Sequence, residues 1–449
     1  MRKPRIGLIC VGLNGERNDL AQGFLRKAIE SLKKNDIEIA CEILGVTLNW
    51  QDVQNQTQTI IKADADAVIY MPGTWVIATH VADAVRKLTM PVAIWGIPEA
   101  SSFSSVGANV VHGMLDEIGF KHKLFYGMPD DTDTTRSIYS FVRAAMVVKE
   151  LQGSHLGLIG GRSLGAYPTA VDPNQVKKIF GIEIDHIDQM VLLEKARGVK
   201  TEVSQELYQE FIKIYGKINV PQEVMIKSLN AYVALKDIIK ERKLDFVALK
   251  CLEEFINTYT SCCVAISLTN NDGIITACQS DINAAISMQI SKLLSDKPVI
   301  FADVNMVDKD NKVVRLINCG TMSTDLAKDK KTIDWEYQYE YMGAGRGACP
   351  VFCCKEGRVT FISLGRLNGE YIMHISTGIA FERPKEVFAE ARDIWPHAFI
   401  QIDGDPIDFY TNLRSNHVVV GYGDMKNDLT NICYLLDMYA AVNKKEPLL

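Results

Sequence analysis

The sequence predicts an α/β chain of two doubly wound, Rossmann-like α/β domains followed by a C-terminal antiparallel domain of β-barrel type. Three observations predict it. Strand-like and helix-like patterns alternate through residues 1–152, and a second run of the same kind fills 153–335. From 336 to 449 short strand patterns broken by Gly, Asn and Pro take over. At 449 residues the chain exceeds the size at which a single core keeps growing, so several domains are expected.

The first domain opens with the apolar run RIGLICVG, read as a buried strand. Basic residues precede it, but Gly12, Asn14 and Gly15 follow at once without a small-residue cleavage pattern, so a leader is not the reading. A helix from about Leu20 to Lys34 and a second strand, IEIACEIL, come next. The runs DAVIY (66–70) and PVAIW (91–95) are continuous and apolar, as strands buried on both faces must be. Asp130, Asp131 and Asp133 precede the helix pattern RSIYSFVRAAMVVKEL, where carboxylates cap orphan N–H groups and complement the helix dipole.

In the second domain HLGLIGG opens a strand. A helix near 228–243, the strand FVALK and a helical stretch after Glu253 follow. The strand IITAC, the helix DINAAISMQISKLL and the strand PVIFADV complete it. In the last domain VFCC, RVTFISL, EYIMHIS and AFIQI are short strands, and a helix from about Asn427 to Val442 closes the chain.

A net charge of −6 gives no electrostatic reason to expect nucleic acid as a partner. No stretch approaches the roughly eighteen apolar residues that span a bilayer, so no membrane partner is expected. Eleven cysteines, an odd number at irregular spacing, lack the paired CxxC pattern of a zinc site. Cys349, Cys353 and Cys354 could hold a soft metal, but small buried thiols are the better reading, which points to a reducing, cytoplasmic compartment.

The loops LNGERND and GGRSLGA fit neither the dinucleotide nor the P-loop pattern, so a nucleotide cofactor is disfavoured. Ligands in wound sheets still bind outside strand carboxyl ends, which makes Arg17 and Arg162 candidates for a ligand's oxygen atoms. Gln279 closes the strand IITAC and Asp303 closes PVIFA, with one helix between. Were these strands parallel neighbours, the crossover would put both polar groups on one sheet edge, able to share a metal or a ligand. Asp281 reads as the cap of the intervening helix.

ACQSDINAAISM, PVIFADV and NCG together resemble the core of the L-fucose/L-arabinose isomerase family. ALKCLEE, GLIGGR…VDPNQVKKIFGIEI and GTWVIATHVADAVRKLTMPVAIWG add to the likeness, as does RSNHVVVGYGD near the C-terminus. The resemblance spans nearly the whole chain. It implies an aldose–ketose isomerase, commonly a hexamer with Mn²⁺. Asp303 matches the family's metal-ligating acid/base and His417 its metal-ligand histidine, with Asn416 beside it. Gln279 stands where the family has a glutamate that is both ligand and acid/base, and Asn318 where shorter relatives often have histidine.

Glutamine can still ligate a hard cation through oxygen, but it gives up one negative charge and all proton transfer. Asp303 must then carry the proton between C1 and C2. Sulfoquinovose isomerases, a branch of this fold, resemble the chain in having glutamine at that position. A site one negative charge lighter, with an arginine for the sulfonate, suits an anionic sugar. Arg17 is the first choice for that contact, then Arg162 and Arg346. Trp75 and His112 are candidates for a pocket wall and a polar contact. The expected reaction is sulfoquinovose to 6-deoxy-6-sulfofructose. A neutral-sugar isomerase and a non-catalytic sugar-binding or regulatory member of the family are the alternatives.

Overall fold

The computed structural model describes residues 2–337, 346–391 and 394–442. The chain separates into two compact units, one of residues 1–150 with 427–435, the other of 151–426 with 436–449. No helix among the described residues is long and apolar enough to cross a membrane.

In the first unit, strands β1 (Arg5–Val11), β2 (Glu38–Ile39), β3 (Val46–Thr47), β4 (Ala67–Pro72), β5 (Val92–Gly96) and β6 (Lys123–Tyr126) form a wholly parallel sheet. Its order is β2-β1-β4-β5-β6, with β3 also on β1. Alternation along β1 assigns the two faces. Ile6, Leu8 and Cys10 join Phe24, Leu25 and Phe141 on one side, while Ile9 and Val11 join Val53, Ile60 and Val81 on the other. IEIACEIL is not one strand. Only its start pairs with β1, and the chain leaves the sheet before returning as β3 after Gly45, whose φ of +93° suits glycine. Asp131 does cap the helix Thr132–Leu151, accepting from the Thr134 N–H at 3.0 Å.

The second unit holds a parallel sheet, ordered β10-β9-β7-β8, of β7 (His155–Ile159), β8 (Glu183–Ile187), β9 (Phe246–Leu249) and β10 (Thr276–Cys278). It also holds a closed antiparallel barrel. The barrel's strands are β11 (Val299–Asp308), β12 (Val313–Ile317), β15 (Gly357–Leu367), β16 (Glu370–Phe381), β17 (His397–Ile402) and β18 (Val418–Tyr422). A separate ribbon joins β13 (Asp334–Tyr337) to β14 (Ala348–Val351). The barrel order is β15-β18-β11-β12-β17-β16, and β16 pairs back onto β15, which removes the free edges. The fold class is the one the sequence predicts.

Two expectations are corrected. β10 and β11 are not parallel neighbours. After the helix Ile282–Ser295 the chain enters the barrel, where β11 runs antiparallel between β18 and β12. The helix packs on β15 and β18 so closely that a Cβ at Gly421 would lie 2.1 Å from Ser291 Oγ. The last helix, Lys426–Leu435, ends early. Asp437 turns the chain with a φ of +54°, and β19 (Tyr439–Val442) then adds in parallel to β16.

Two barrel histidines give a pH prediction. His397 is buried against Phe388, with ring centroids 4.1 Å apart, and Arg315 donates to its Nε2 at 3.0 Å. Burial lowers its pKa to about 4, the nearby Arg315 charge acting the same way against the Trp395 carbonyl. Burial, with a smaller effect of Arg414, also lowers His374 to about 4. The unfolded chain takes up these protons first, near pH 6.5, so the stabilisation is complete above that pH and is lost as pH falls toward 4. The expected loss is about 1.4 kcal/mol per pH unit for each ring. Urea midpoints measured from pH 7 to 4.5 should fall, and His374→Gln should flatten the slope; an unchanged slope would count against it.

Candidate active site

The parallel sheet supplies the first element. β10 ends at Cys278, and both Gln279 and Ser280 take a φ of +55°. Two successive non-glycine residues in the left-handed region cost on the order of 1 kcal/mol each or more. Ser280 is held by donation to the Gly161 carbonyl at 2.8 Å. This turn aims the chain at Asp281, whose carboxylate has two tasks. One oxygen accepts from the Ala284 N–H at 2.9 Å, capping the helix Ile282–Ser295. The other lies 2.7 Å from His417 Nδ1.

The barrel supplies the rest. Ala302 of β11 pairs with Val418 of β18, so Asp303, which lies midway along β11 rather than closing it, and His417, just before β18, are brought side by side. His417 is buried, with its ring 4.3 Å from that of Phe301. With Nδ1 committed to Asp281, Nε2 is the nitrogen turned toward Asp303, 3.8 Å from its carboxylate. Asn416 Nδ2 sits 3.1 Å from His417 Nδ1 and 3.5 Å from Gln279 Oε1. The structure thus gathers Gln279, Asp303, Asn416 and His417, and adds Asp281.

Burial pushes the His417 imidazole down, but Asp303 and Asp281 together more than offset it, so the ring titrates above the usual histidine range. Burial raises the Asp303 carboxyl against the opposing pull of His417. Yet 48 % of the Asp303 side chain is reachable by solvent. Such a group can meet a ligand and exchange a proton with it.

The donor set also suits a divalent cation. A histidine whose Nδ1–H is fixed by a buried carboxylate offers Nε2 as a ligand, the usual support for a metal-binding imidazole. The Nε2–carboxylate spacing of 3.8 Å is slightly wider than that of two ligands of one ion. Gln279 Oε1 lies one residue further out, 3.5 Å from Asn416 Nδ2.

The other sequence candidates have different surroundings. Asn318 is buried, and its Oδ1 accepts from the N–H groups of Gly320 and Thr321 and from the Thr321 hydroxyl, tying the turn after β12. Its Nδ2 has no hydrogen-bond partner among the described residues. Arg162 stacks on Tyr167 and, with Ser280, His186 and Ile282, lines a cavity of about 240 Å³ at the parallel sheet's carboxyl edge. Beside it lies a larger cavity, about 630 Å³, with Lys250, Arg197 and His186 in its wall. Neither is lined by Asp303 or His417. Arg346 donates to the Asn257 carbonyl.

In the first unit Arg17 pairs with Asp19 at 2.7 Å, Trp75 is exposed after β4, and His112 hydrogen-bonds His122 at 2.7 Å. All eleven cysteines are free, nine of them buried, and Cys263 Sγ donates to the Cys319 carbonyl at 3.2 Å.

Sequence reasoning missed Asp281 as a support for His417. The one available signal was a carboxylate two residues beyond a candidate ligand, and its partner lies in a distant segment.

Residues 316–442 match the family described as L-fucose isomerase, C-terminal domain. Over this part the chain is similar to L-fucose isomerases, and its similarity to a protein named as an isomerase extends along nearly its whole length. A protein from Clostridium sp. (strain MSTE9), named sulfoquinovose isomerase, is 22% identical, over 98% of this chain and 100% of its own. Proteins of the same name from Alkalicoccus urumqiensis and Priestia aryabhattai are each 23% identical. The first match covers 72% of this chain and 74% of that relative, the second 73% and 75%. A solved ABC transporter solute binding protein from Burkholderia multivorans covers 64% of this chain and is itself covered to 93%, at 15% identity and a TM-score of 0.19, too low to bear on the fold.

Proposed function

We propose that the protein interconverts sulfoquinovose and 6-deoxy-6-sulfofructose, with Asp303 moving the proton between C2 and C1. The observation that carries this reading is the amide of Gln279, linked through Asn416 to the His417–Asp303 pair, in a chain similar along its length to a protein named sulfoquinovose isomerase. An amide leaves the site one negative charge lighter than a carboxylate would, which favours an anionic sugar.

In the forward direction the Asp303 carboxylate takes the C2 proton of the open-chain aldose, leaving an ene-diol, and returns a proton to C1. The O2 proton passes to O1 through water, since neither Gln279 nor Asn416 can carry it. Gln279, Asp303 and His417 would hold a divalent cation, Mn²⁺ on the family's pattern, and bound there it would polarise the two sugar oxygens. Asn416, and the Nδ2 of Asn318, are donors for sugar hydroxyls. For the sulfonate, Arg162 is favoured by its place in the cavity that Ser280 also lines, with Arg17 and Arg346 the other candidates. The same reading makes the protein a cytoplasmic homo-oligomer, a hexamer on the family's pattern.

Turnover on sulfoquinovose and on glucose, followed together with exchange of the substrate's C2 hydrogen with solvent, tests the proposal. A clear preference for the sulfonated sugar with Mn²⁺-dependent exchange is expected. Equal rates on both would remove the anion argument, and absence of exchange with any sugar would remove catalysis. Gln279→Glu is expected to tighten Mn²⁺ binding while narrowing the preference for the sulfonated sugar over glucose by roughly 10-fold, about 1.4 kcal/mol; if both stay the same, the glutamine is incidental.

A further inference from the structure

We propose that His112, Asp116 and His122 form a second divalent-cation site, in the first unit, for a metal of the zinc, cobalt and nickel class. Among the described residues they are the one group of His, Cys, Asp or Glu in which three ligand atoms all lie within 4.8 Å of one another.

The chain builds this cluster locally. The helix Ser104–Glu117 places His112 and Asp116 one turn apart on the same face, 3.5 Å from Nε2 to carboxylate. Gly119, with a φ of +66°, then ends the helix. Its N–H bonds the Asp116 carbonyl at 3.0 Å, and the Phe120 N–H bonds the Leu115 carbonyl at 2.9 Å. That reversal lays His122, just before β6, against the helix it has left, and His112 Nδ1 meets His122 Nε2 at 2.7 Å.

Two features distinguish the trio from a chance surface cluster. His122 is only 8% exposed, and its Nδ1–H is directed to the Phe120 carbonyl at 2.8 Å, so Nε2 carries the lone pair that faces His112. A ring fixed in this way is a prepared metal ligand. The His122 carbonyl is itself held by the Tyr434 hydroxyl at 2.5 Å. Lys121 reaches the Leu435 carbonyl over the Tyr434 ring, and Lys123 reaches Asn431.

Two imidazoles and one carboxylate, with positions left for water, suit a borderline cation better than Mg²⁺ or Ca²⁺. Two nitrogens on a tetrahedral ion sit about 3.3 Å apart. His112, 35% exposed, faces His122 with Nδ1 and Asp116 with Nε2, so to ligate through one nitrogen the ring must shift, exchanging the ring-to-ring hydrogen bond for a metal bond from each imidazole.

Co²⁺ serves as the probe, added to full-length, chelator-stripped protein and followed by its visible absorption and by bound equivalents. In an Asp303→Asn/His417→Gln background one Co²⁺ per chain should still bind. His112→Ala, at a half-exposed position, should weaken that binding at least 10-fold without changing the metal-free melting temperature, and Asp116→Asn should weaken it too. A folded background variant that binds no Co²⁺, or binding indifferent to His112→Ala, overturns the site. Should the background variant fail to fold, His112→Ala alone must lower the bound equivalents by one, and an unchanged count overturns it equally. The result is independent of which sugar the protein isomerises.

Discussion

Asp303→Asn is expected to lower turnover by about 10³-fold or more while leaving the fold intact. Of the two carboxylates in contact with or facing His417 among the described residues, Asp303 is the one open to solvent, for Asp281 is fully buried and committed to both the helix start and His417. General-base transfer to or from carbon contributes typically 10²–10⁴-fold, and asparagine has no basic oxygen with which to supply it. Because Asp303 would also help hold the cation, the measurement must separate the two effects. Steady-state rates at rising Mn²⁺ should not recover, and solvent exchange at C2 should disappear with turnover. Recovery at high Mn²⁺ would make Asp303 a ligand alone, and near-normal rates would remove it from the chemistry.

Asp281 carries the second large effect, in two separable parts. Asp281→Asn keeps a side chain able to cap the helix Ile282–Ser295 but withdraws the charge that faces His417 Nδ1 at 2.7 Å. Loss of such a support typically costs 10–100-fold in metal affinity or activity, and melting should change little. Asp281→Ala removes the cap as well, at about 1 kcal/mol, and leaves a buried imidazole without its partner, a change worth about 3–5 kcal/mol. A large fall in melting temperature is therefore expected for alanine and a small one for asparagine, with activity low in both. Equal melting in the two variants would show that the bond to His417 and the cap contribute little.

Much of this was legible in the sequence. Apolar runs such as DAVIY and PVAIW admit few readings besides buried parallel strands, and β4 and β5 are found there. The broken texture after residue 335 reports an antiparallel architecture because hairpins need turn residues at short intervals. Gln279, Asp303 and His417 stood out through their motifs, but their arrangement did not. An apolar strand after a helix has the same appearance whether it continues a parallel sheet or enters a barrel, so the sequence leaves the neighbours of β11 open. The support from Asp281 was hidden for a similar reason. Its cap is a local contact within three residues, whereas its bond to His417 depends on how the barrel closes.

Barrel closure also has a temporal consequence. β18, which leads directly out of His417, is inserted between β15 and β11, strands far apart in the chain, and contacts of that kind form late because long loops must first be confined. A refolding molecule would therefore possess its helices and parallel strands well before it possessed a place for a sugar. Recovery of activity should lag recovery of far-ultraviolet signal, with the final annealing of one strand as the event that brings the imidazole home.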